Sequence, residues 1–353
     1  MRQFISFLFA LFFIIQPPLA QNRSYKIRTI AFFNVENLFD TINNPSTFDE
    51  DFTPQGKNHY NSAVYQKKIL NISRVLSEIG KEKTKTSPAI IALSEIENDT
   101  VLKDLIHSPP LKDQHYQIIH YNSPDIRGID VALLYKQEIF KPLEQESTEV
   151  KLWDDEGKRI YTRNILTVKG FLDDELIYMI VNHWPSRRGG QQRSSTKREK
   201  AAFVVQKIID GIREEDKNAR IIVLGDFNDD PVDKSIKTLN STGNLKDLDK
   251  SSLYNPMEIL YHKGYNTLSH RDGLNLFDQI MMSYRFISPY KDYKNYQFYQ
   301  AGIYNPDYLI TQTGKYRGYP FRSFQNNTFT GGYSDHFPVF IYLIKENDQR
   351  SGI

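Results

Sequence analysis

The stretch that most constrains the fold runs from Ile221 to Pro231 and reads Ile-Ile-Val-Leu-Gly-Asp-Phe-Asn-Asp-Asp-Pro. Its first four residues are apolar and mostly β-branched, which reads as a short strand covered on both faces. Gly225 follows, and Pro231 stops any continuation. On an extended chain, side chains two residues apart share a face. Asp226 and Asn228 are therefore expected to face together at the end of a strand, with Phe227 packed away from them. A carboxylate beside an amide can orient or deprotonate a water and hold that water or an anion. The same letters also spell an Asp-Asn turn whose side chains bond their own backbone. The rest of the chain has to separate the two.

Polar residues recur where other apolar runs end. Residues 26–33 read as a strand that delivers Asn34-Val35-Glu36-Asn37, and 89–93 as one ending in Ser94-Glu95-Ile96-Glu97-Asn98. Further strands are expected over 129–135, 163–168, 176–182, 277–282 and 337–343. The run 176–182 empties into His183-Trp184-Pro185-Ser186, and 337–343 follows Ser334-Asp335-His336. Two helices stand out. One is capped by Ser62, carries Tyr65, Ile69, Ile72, Leu76 and Ile79 at helical spacing, and closes at Gly80. The other spans 195–212 with Phe203, Val204, Ile208 and Ile212 on one face. Residues 40–61 read as a long polar loop, and 284–324 as an irregular segment crowded with Tyr, Phe and Arg. Many short strands, few long helices and no strict strand–helix alternation predict stacked sheets with helices outside. No linker or repeat divides residues 22–348, which read as one domain.

The first 20 residues form a separate segment. Arg2, an apolar run from Phe4 to Ile15 too short to span a bilayer, and the small residue Ala20 before Gln21 predict a secretory signal peptide and an exported protein, with an uncleaved membrane anchor as the alternative. No stable membrane insertion is expected once it is removed. The 353 residues contain no Cys, which excludes disulfides, a lipid-modified Cys, thiolate metal sites and Cys nucleophiles. Lys plus Arg number 45 against 43 Asp plus Glu, so any affinity for polyanions must come from a local patch.

The residues at the strand ends are Asn34, Glu36, Glu95, His183, Asp226, Asn228, Asp278, Asp335 and His336. Strand ends along one edge can converge on one cleft. The set has oxygen donors and two His, without the His pair spacing of zinc sites. That chemistry suits Mg²⁺, Mn²⁺ or Ca²⁺. The ordered blocks Phe-Phe-Asn-Val-Glu-Asn-Leu, Ala-Leu-Ser-Glu-Ile-Glu-Asn, Val-Asn-His-Trp-Pro-Ser, Gly-Asp-Phe-Asn-Asp, Phe-Asp-Gln-Ile and Tyr-Ser-Asp-His-Phe-Pro-Val resemble the endonuclease/exonuclease/phosphatase superfamily, which includes deoxyribonuclease I and the apurinic endonucleases. The resemblance covers about residues 27 to 345.

This resemblance implies a four-layer α/β/β/α sandwich of two stacked mixed sheets flanked by helices. It implies that Glu95 is the principal metal ligand, with Asn34 and Glu36 beside it and Asp335 supporting from the far end. Asp226 would position or deprotonate the attacking water, and Asn228 would hold it or a phosphate oxygen. Asp278 would orient His336, and His183 would bind phosphate and serve the leaving oxygen, with Asp130 a candidate to orient His183. Two positions depart from the family pattern: Glu36 stands where Asp is common, and Ser94 where Gln is common.

Two basic segments accompany the set. Arg187, Arg188, Arg193, Lys197 and Arg198 follow the His183 block, while Lys315, Arg317 and Arg322 interleave with Tyr316, Tyr319 and Phe321. Basic residues among aromatics suit a phosphate backbone and stacked bases. A solvated helix start and a packed loop are the plainer readings of the two segments. Arg163 is a further candidate phosphate contact. His59, His107, His115, His120, His262 and His270 read as surface or structural. The expected activity is hydrolysis of DNA or RNA phosphodiesters. The alternatives are a phosphatase or phospholipase acting on sugar, inositol or lipid phosphates, and a non-catalytic binding protein on the same scaffold.

Overall fold

The computed structural model describes residues 23–270, 273–287 and 292–347, so the predicted signal peptide lies outside it. Two mixed sheets form the centre. In the first, the strands lie in the order Gln297–Ile303, Val339–Glu346, Tyr25–Leu38, Ile90–Ile96, Asp130–Lys136, Tyr116–His120. In the second, the order is Ser241–Thr242, Leu253–Tyr254, Asp278–Ser283, Ile221–Asp226, Glu175–His183, Ile165–Leu172, Phe140–Thr148. Tyr25–Leu38 pairs in parallel with Ile90–Ile96, and Ile221–Asp226 in parallel with Glu175–His183. Both central strands are flanked antiparallel on their other edge.

Strand alternation then builds the layers. Ile222 and Leu224 face inward and, with Met179, Val181, Ile280 and Met282, meet Ile30, Phe32, Ala92 and Leu133 of the first sheet. Ile221 and Val223 face the other way, onto Ala201, Ala202, Val205 and Ile209 of the helix Gln191–Glu215. On the outer face of the first sheet, Ala31, Phe33, Ile91 and Leu93 pack under Ile69, Ile72, Val75 and Leu76 of the helix Ser62–Glu78, and near Val101, Leu102 and Leu105 of the helix Asp99–His107. The unbroken apolar run at 221–224 is thus required because both faces of its sheet are covered. Each such side chain contributes ~1.5–3 kcal/mol of burial. The result is the four-layer α/β sandwich.

Two local expectations are corrected. The cap of the first helix is Asn61, whose side chain accepts from the backbone N–H groups of Ala63 and Val64; Ser62 is already the first helical residue. The buried stripe of the helix Gln191–Glu215 is Ala201, Val205, Ile209 and Ile212. Phe203 is 56% exposed and lies beneath the Lys207 ammonium, 4.7 Å from its ring centroid. Ile212 is buried as expected, and Val204 and Ile208 pack at the edge of the same cluster, so Phe203 alone of the expected face points to solvent. No described helix is long and apolar enough to cross a membrane.

Candidate active site

The site is assembled from register. In the second sheet Asp226 lies beside His183 on one neighbouring strand and beside Asp278 on the other. Side chains at paired positions share a face, and Asp226 follows inward-facing Leu224 by two residues. All three therefore point toward the first sheet. Gly225 is required here: a Cβ on it would lie 2.2 Å from the carbonyl oxygen of Asn182. The first sheet answers with Asn34, two residues beyond inward-facing Phe32. Asn34 Nδ2 donates to Asp226 Oδ2 at 3.0 Å, bridging the two sheets.

Both strands of the first sheet break their regularity at this edge. Glu36, Asn37 and Glu95 have φ of 51°, 55° and 64°, and the pairing register shifts around Asn34–Leu38 and Ser94–Ile96. Such bulges re-aim side chains. Asn37 N–H donates to Glu95 Oε2 at 2.9 Å, which leaves Glu95 Oε1 facing His183 Nε2 at 3.8 Å. Ser334 ties in the last strand's approach. Its hydroxyl donates to the Asn34 carbonyl at 2.6 Å and accepts from His336 N–H at 3.1 Å.

His336 Nδ1 is 2.7 Å from Asp278 Oδ2, and its Nε2 points toward Asp226 Oδ2 at 3.9 Å and Asp335 Oδ1 at 4.0 Å. Burial disfavours a charged imidazole there, but Asp278, Asp226 and Asp335 outweigh it and hold the His336 pKa well above the ordinary range. Burial pushes Asp226 up to about 6; His336 opposes the shift and Asp278 adds to it. His183 is moved the other way. Burial, reinforced by Arg163, Arg127 and His336, holds it well below the usual value and therefore neutral. Its Nε2 is 3.6 Å from Asp226 Oδ2.

Asn228 reaches the cluster by a route that strand alternation does not describe. Its φ is 51°, its N–H donates to Asp226 Oδ1 at 2.9 Å, and its side-chain amide donates to the Trp184 carbonyl at 3.1 Å. Phe227 packs away, edge-on to Trp184 with centroids 4.8 Å apart. Arg163 sits behind this wall, donating to the same Trp184 carbonyl and to Asp125 Oδ2 at 3.1 Å.

Several sequence-predicted residues lie elsewhere. Asp130 does not orient His183; it accepts from Ser123 N–H at 2.8 Å and contacts His120 Nε2 at 3.2 Å. Arg187 is buried rather than part of an exposed track. It lies 4.3 Å over the Phe277 ring centroid and pairs with Asp229, Asp230 and Asp233. Arg198 is likewise buried, 2.7 Å from Asp229 Oδ2. Arg188, Arg193, Arg317 and Tyr316 are exposed, and Tyr319 is half-buried. Glu36 is 3% exposed and its carboxylate is fully engaged: Arg322 holds Oε1, and Ser323 N–H and Oγ hold Oε2 at 2.6 and 2.8 Å. Arg322 also reaches Asp335 Oδ2 at 3.3 Å.

Lys68 escaped the sequence reading. It projects from the helix Ser62–Glu78 to the underside of the site, where Nζ donates to the Glu36 carbonyl and to Ser323 Oγ at 2.6 Å. Burial lowers its pKa to about 8, against the pull of Glu36, Asp335 and Glu95. A signal was present: Lys68 lies three residues after Tyr65 and four before Ile72, on the helix's apolar stripe.

Two donor sets could hold a metal ion. Asp226, Asp278 and His336 are buried with ligand atoms within 4.8 Å of one another. Glu95 Oε1 and Asn34 Oδ1, the latter also accepting the Glu36 N–H at 3.0 Å, offer hard oxygens at the bulges of neighbouring strands. A model of the Endonuclease/Exonuclease/phosphatase family matches residues 29–345. The chain belongs to this family. Its members are phosphoric ester hydrolases, and so is this protein. A search of curated protein sequences finds no match. The structure is similar to humanized D. rerio TDP2 with 14 mutations, at 16% identity over 90% of this chain and 98% of that one, with a TM-score of 0.53. It is similar to an endonuclease/exonuclease/phosphatase family protein from Bacteroides thetaiotaomicron, at 16% identity over 91% and 98%, with a TM-score of 0.52. D. rerio TDP2 complexed with single strand DNA product gives 16% identity over 90% and 98%, with a TM-score of 0.50. At these identities the likeness shows the family's fold.

Proposed function

We propose that the protein is an exported phosphodiesterase that uses a divalent cation, Mg²⁺ first, to hydrolyse phosphodiester bonds of DNA or RNA. The observation that carries this reading is the setting of Asp226, within 4 Å of Asn34, His183 and His336 at once. A base, a cationic donor and a neutral donor thus face one small volume, with Glu95 across from them.

Asp226 is placed to take a proton from an attacking water, and Asn228 to hold that water or a phosphate oxygen. His336, kept charged and fixed by Asp278, presents Nε2–H to the oxygens that gain charge as the phosphorus is attacked. His183, kept neutral, offers a hydrogen bond to a phosphoryl or leaving oxygen. His336, held protonated by Asp278, Asp226 and Asp335, has no lone pair to give a cation. Glu95 and Asn34 therefore suit a hard cation better than the Asp-Asp-His group does. Bound there, the cation would stabilise developing negative charge on the phosphate.

Nucleic acid is supported by the exposed Arg188, Arg193 and Arg317 with Tyr316, and by the family's TDP2, known in complex with single strand DNA product. The burial of Arg187 and Arg198 shortens the basic track and favours, as a second reading, a smaller phosphate ester. The test is incubation of the mature chain with plasmid, RNA and a phosphomonoester panel, with and without chelator. Chelator-sensitive cleavage of nucleic acid is expected. Turnover of phosphomonoesters alone replaces the nuclease reading with the second one, and full activity in excess chelator removes the metal. Export predicts that intact mass of the secreted protein lacks residues 1–20.

A further inference from the structure

We propose that Lys68 and Arg322 are fixed counter-ions that keep Glu36 and Asp335 out of metal coordination, so that the site takes one divalent ion, at Glu95 and Asn34. This rests on the metal-dependent reading above and narrows it. By residue type, Glu95, Asn34, Glu36 and Asp335 supply donors enough for two ions, and paired ions 3.5–4 Å apart commonly share such carboxylates.

The hydrogen bonds distribute the donors differently. A carboxylate offers about four acceptor positions, and Glu36 receives four N–H or O–H groups, two from Arg322 and two from Ser323. Arg322 Nη2 bridges Glu36 Oε1 and Asp335 Oδ2 at 3.1 and 3.3 Å, between the carboxylates a second ion would link. Lys68 closes the array from below. Its wholly buried ammonium holds the Glu36 carbonyl and the same Ser323 hydroxyl that bonds the Glu36 carboxylate. An ammonium and a guanidinium thus stand where a second dication would otherwise neutralise the acids. Their charges also repel one, since like charges a few ångströms apart interact unfavourably even near a protein surface. Glu95 is outside the array, its Oε2 held by the Asn37 N–H, and Asn34 Oδ1 accepts the Glu36 N–H at 3.0 Å, one of the two positions an amide oxygen offers.

The experiment is Mn²⁺ binding to the full mature chain without substrate, by calorimetry and by the electron paramagnetic resonance of free Mn²⁺. Wild type is expected to bind one equivalent, and Glu95→Gln to lose it. Arg322→Gln and Lys68→Met are expected to admit a second equivalent, or to bind the first about tenfold more tightly, the scale of one nearby charge removed. Wild-type binding of two ions overturns the proposal. So does one ion of unchanged or weaker affinity in both variants, which would make the two cations braces for the loop. Binding of none by wild type removes the metal reading beneath it as well. If Lys68→Met does not fold, Arg322→Gln, altered at a half-exposed side chain, decides alone.

Discussion

Replacing Asp173 by Asn should make the protein easier to unfold while leaving its chemistry alone. Asp173 sits in the turn between Ile165–Leu172 and Glu175–His183, at the opposite end of the sandwich from the site. Arg28, its main partner, precedes Asn34 by six residues of strand, ~20 Å at the usual rise. Asp173 Oδ2 accepts from Arg28 Nε at 2.9 Å and from the Tyr296 hydroxyl at 2.5 Å. Its Oδ1 accepts from Arg28 Nη2 at 2.7 Å and Lys26 Nζ at 3.1 Å. The carboxylate thereby fastens one sheet to the other. Burial raises its pKa, but Arg28, Tyr296 and Lys26 more than compensate and bring it from 3.8 down to about 2. At ~1.4 kcal/mol per unit this is at most ~2.5 kcal/mol, and solvent screening of a partly exposed group brings the expected cost to ~1–2.5 kcal/mol. Asn adopts the turn's positive φ of 53° as readily as Asp, so the backbone adds nothing. A carboxyl with a depressed folded-state pKa contributes fully above its unfolded value near 4 and loses that contribution as pH falls through about 2. Urea melts should therefore separate variant and wild type by ~1–2.5 kcal/mol at pH 7. The gap should narrow at pH 3, and the turnover number should not change. Equal stability at pH 7, or a gap undiminished in acid, would refute the electrostatic account.

Four further outcomes are expected. Glu95→Gln should raise the divalent-ion concentration needed for half-maximal turnover and lower the rate, read in a metal titration; an unchanged titration curve removes Glu95 as a ligand. Asp278→Asn should cost ~10²–10⁴-fold in turnover with little change in substrate affinity. Because Asp278 helps raise the His336 pKa, the alkaline limb of the pH–rate profile should move to lower pH, and a limb that stays in place would deny it that role. Arg188→Ala with Arg193→Ala should flatten the salt dependence of KM for DNA by about 0.9 per lost phosphate contact. Arg187→Ala should instead lower stability by leaving Asp229, Asp230 and Asp233 without their shared cation; a pure salt effect on KM would return it to the binding track.

Local patterns carried much of the architecture. The run 221–224 implied two covered faces, and the structure covers one with the facing sheet and the other with a helix. Alternation also placed Asp226 inward. It did not place Asn228, because the left-handed turn there replaces side-chain alternation by a backbone hydrogen bond to Asp226. Helical spacing found the helix Ser62–Glu78 but passed over Lys68, since a charged residue within an apolar stripe reads as a boundary of the stripe. The arginines at 187 and 198 looked like a surface track because sequence spacing carries no information on burial, and their acidic partners lie 31 to 46 residues further on.

The sequence by itself determined the central strands, the need for two buried sheet faces, and the kinds of donor at each strand end; it missed the edge strands Tyr116–His120, Phe140–Thr148 and Gln297–Ile303, the last within the segment read as irregular. The features it determined are local matters of hydrophobic period, turn chemistry and side-chain type. Only the tertiary structure decided which donors meet. Asn34 touches Asp226 across 192 residues, and Arg322 closes on Glu36 across 286. It also decided that Glu36 pairs with protein cations and that His183 and His336 carry opposite pKa shifts. Those properties depend on distance and burial, and Coulomb and desolvation energies are set by how strands and loops stack in space, which no short window of sequence contains.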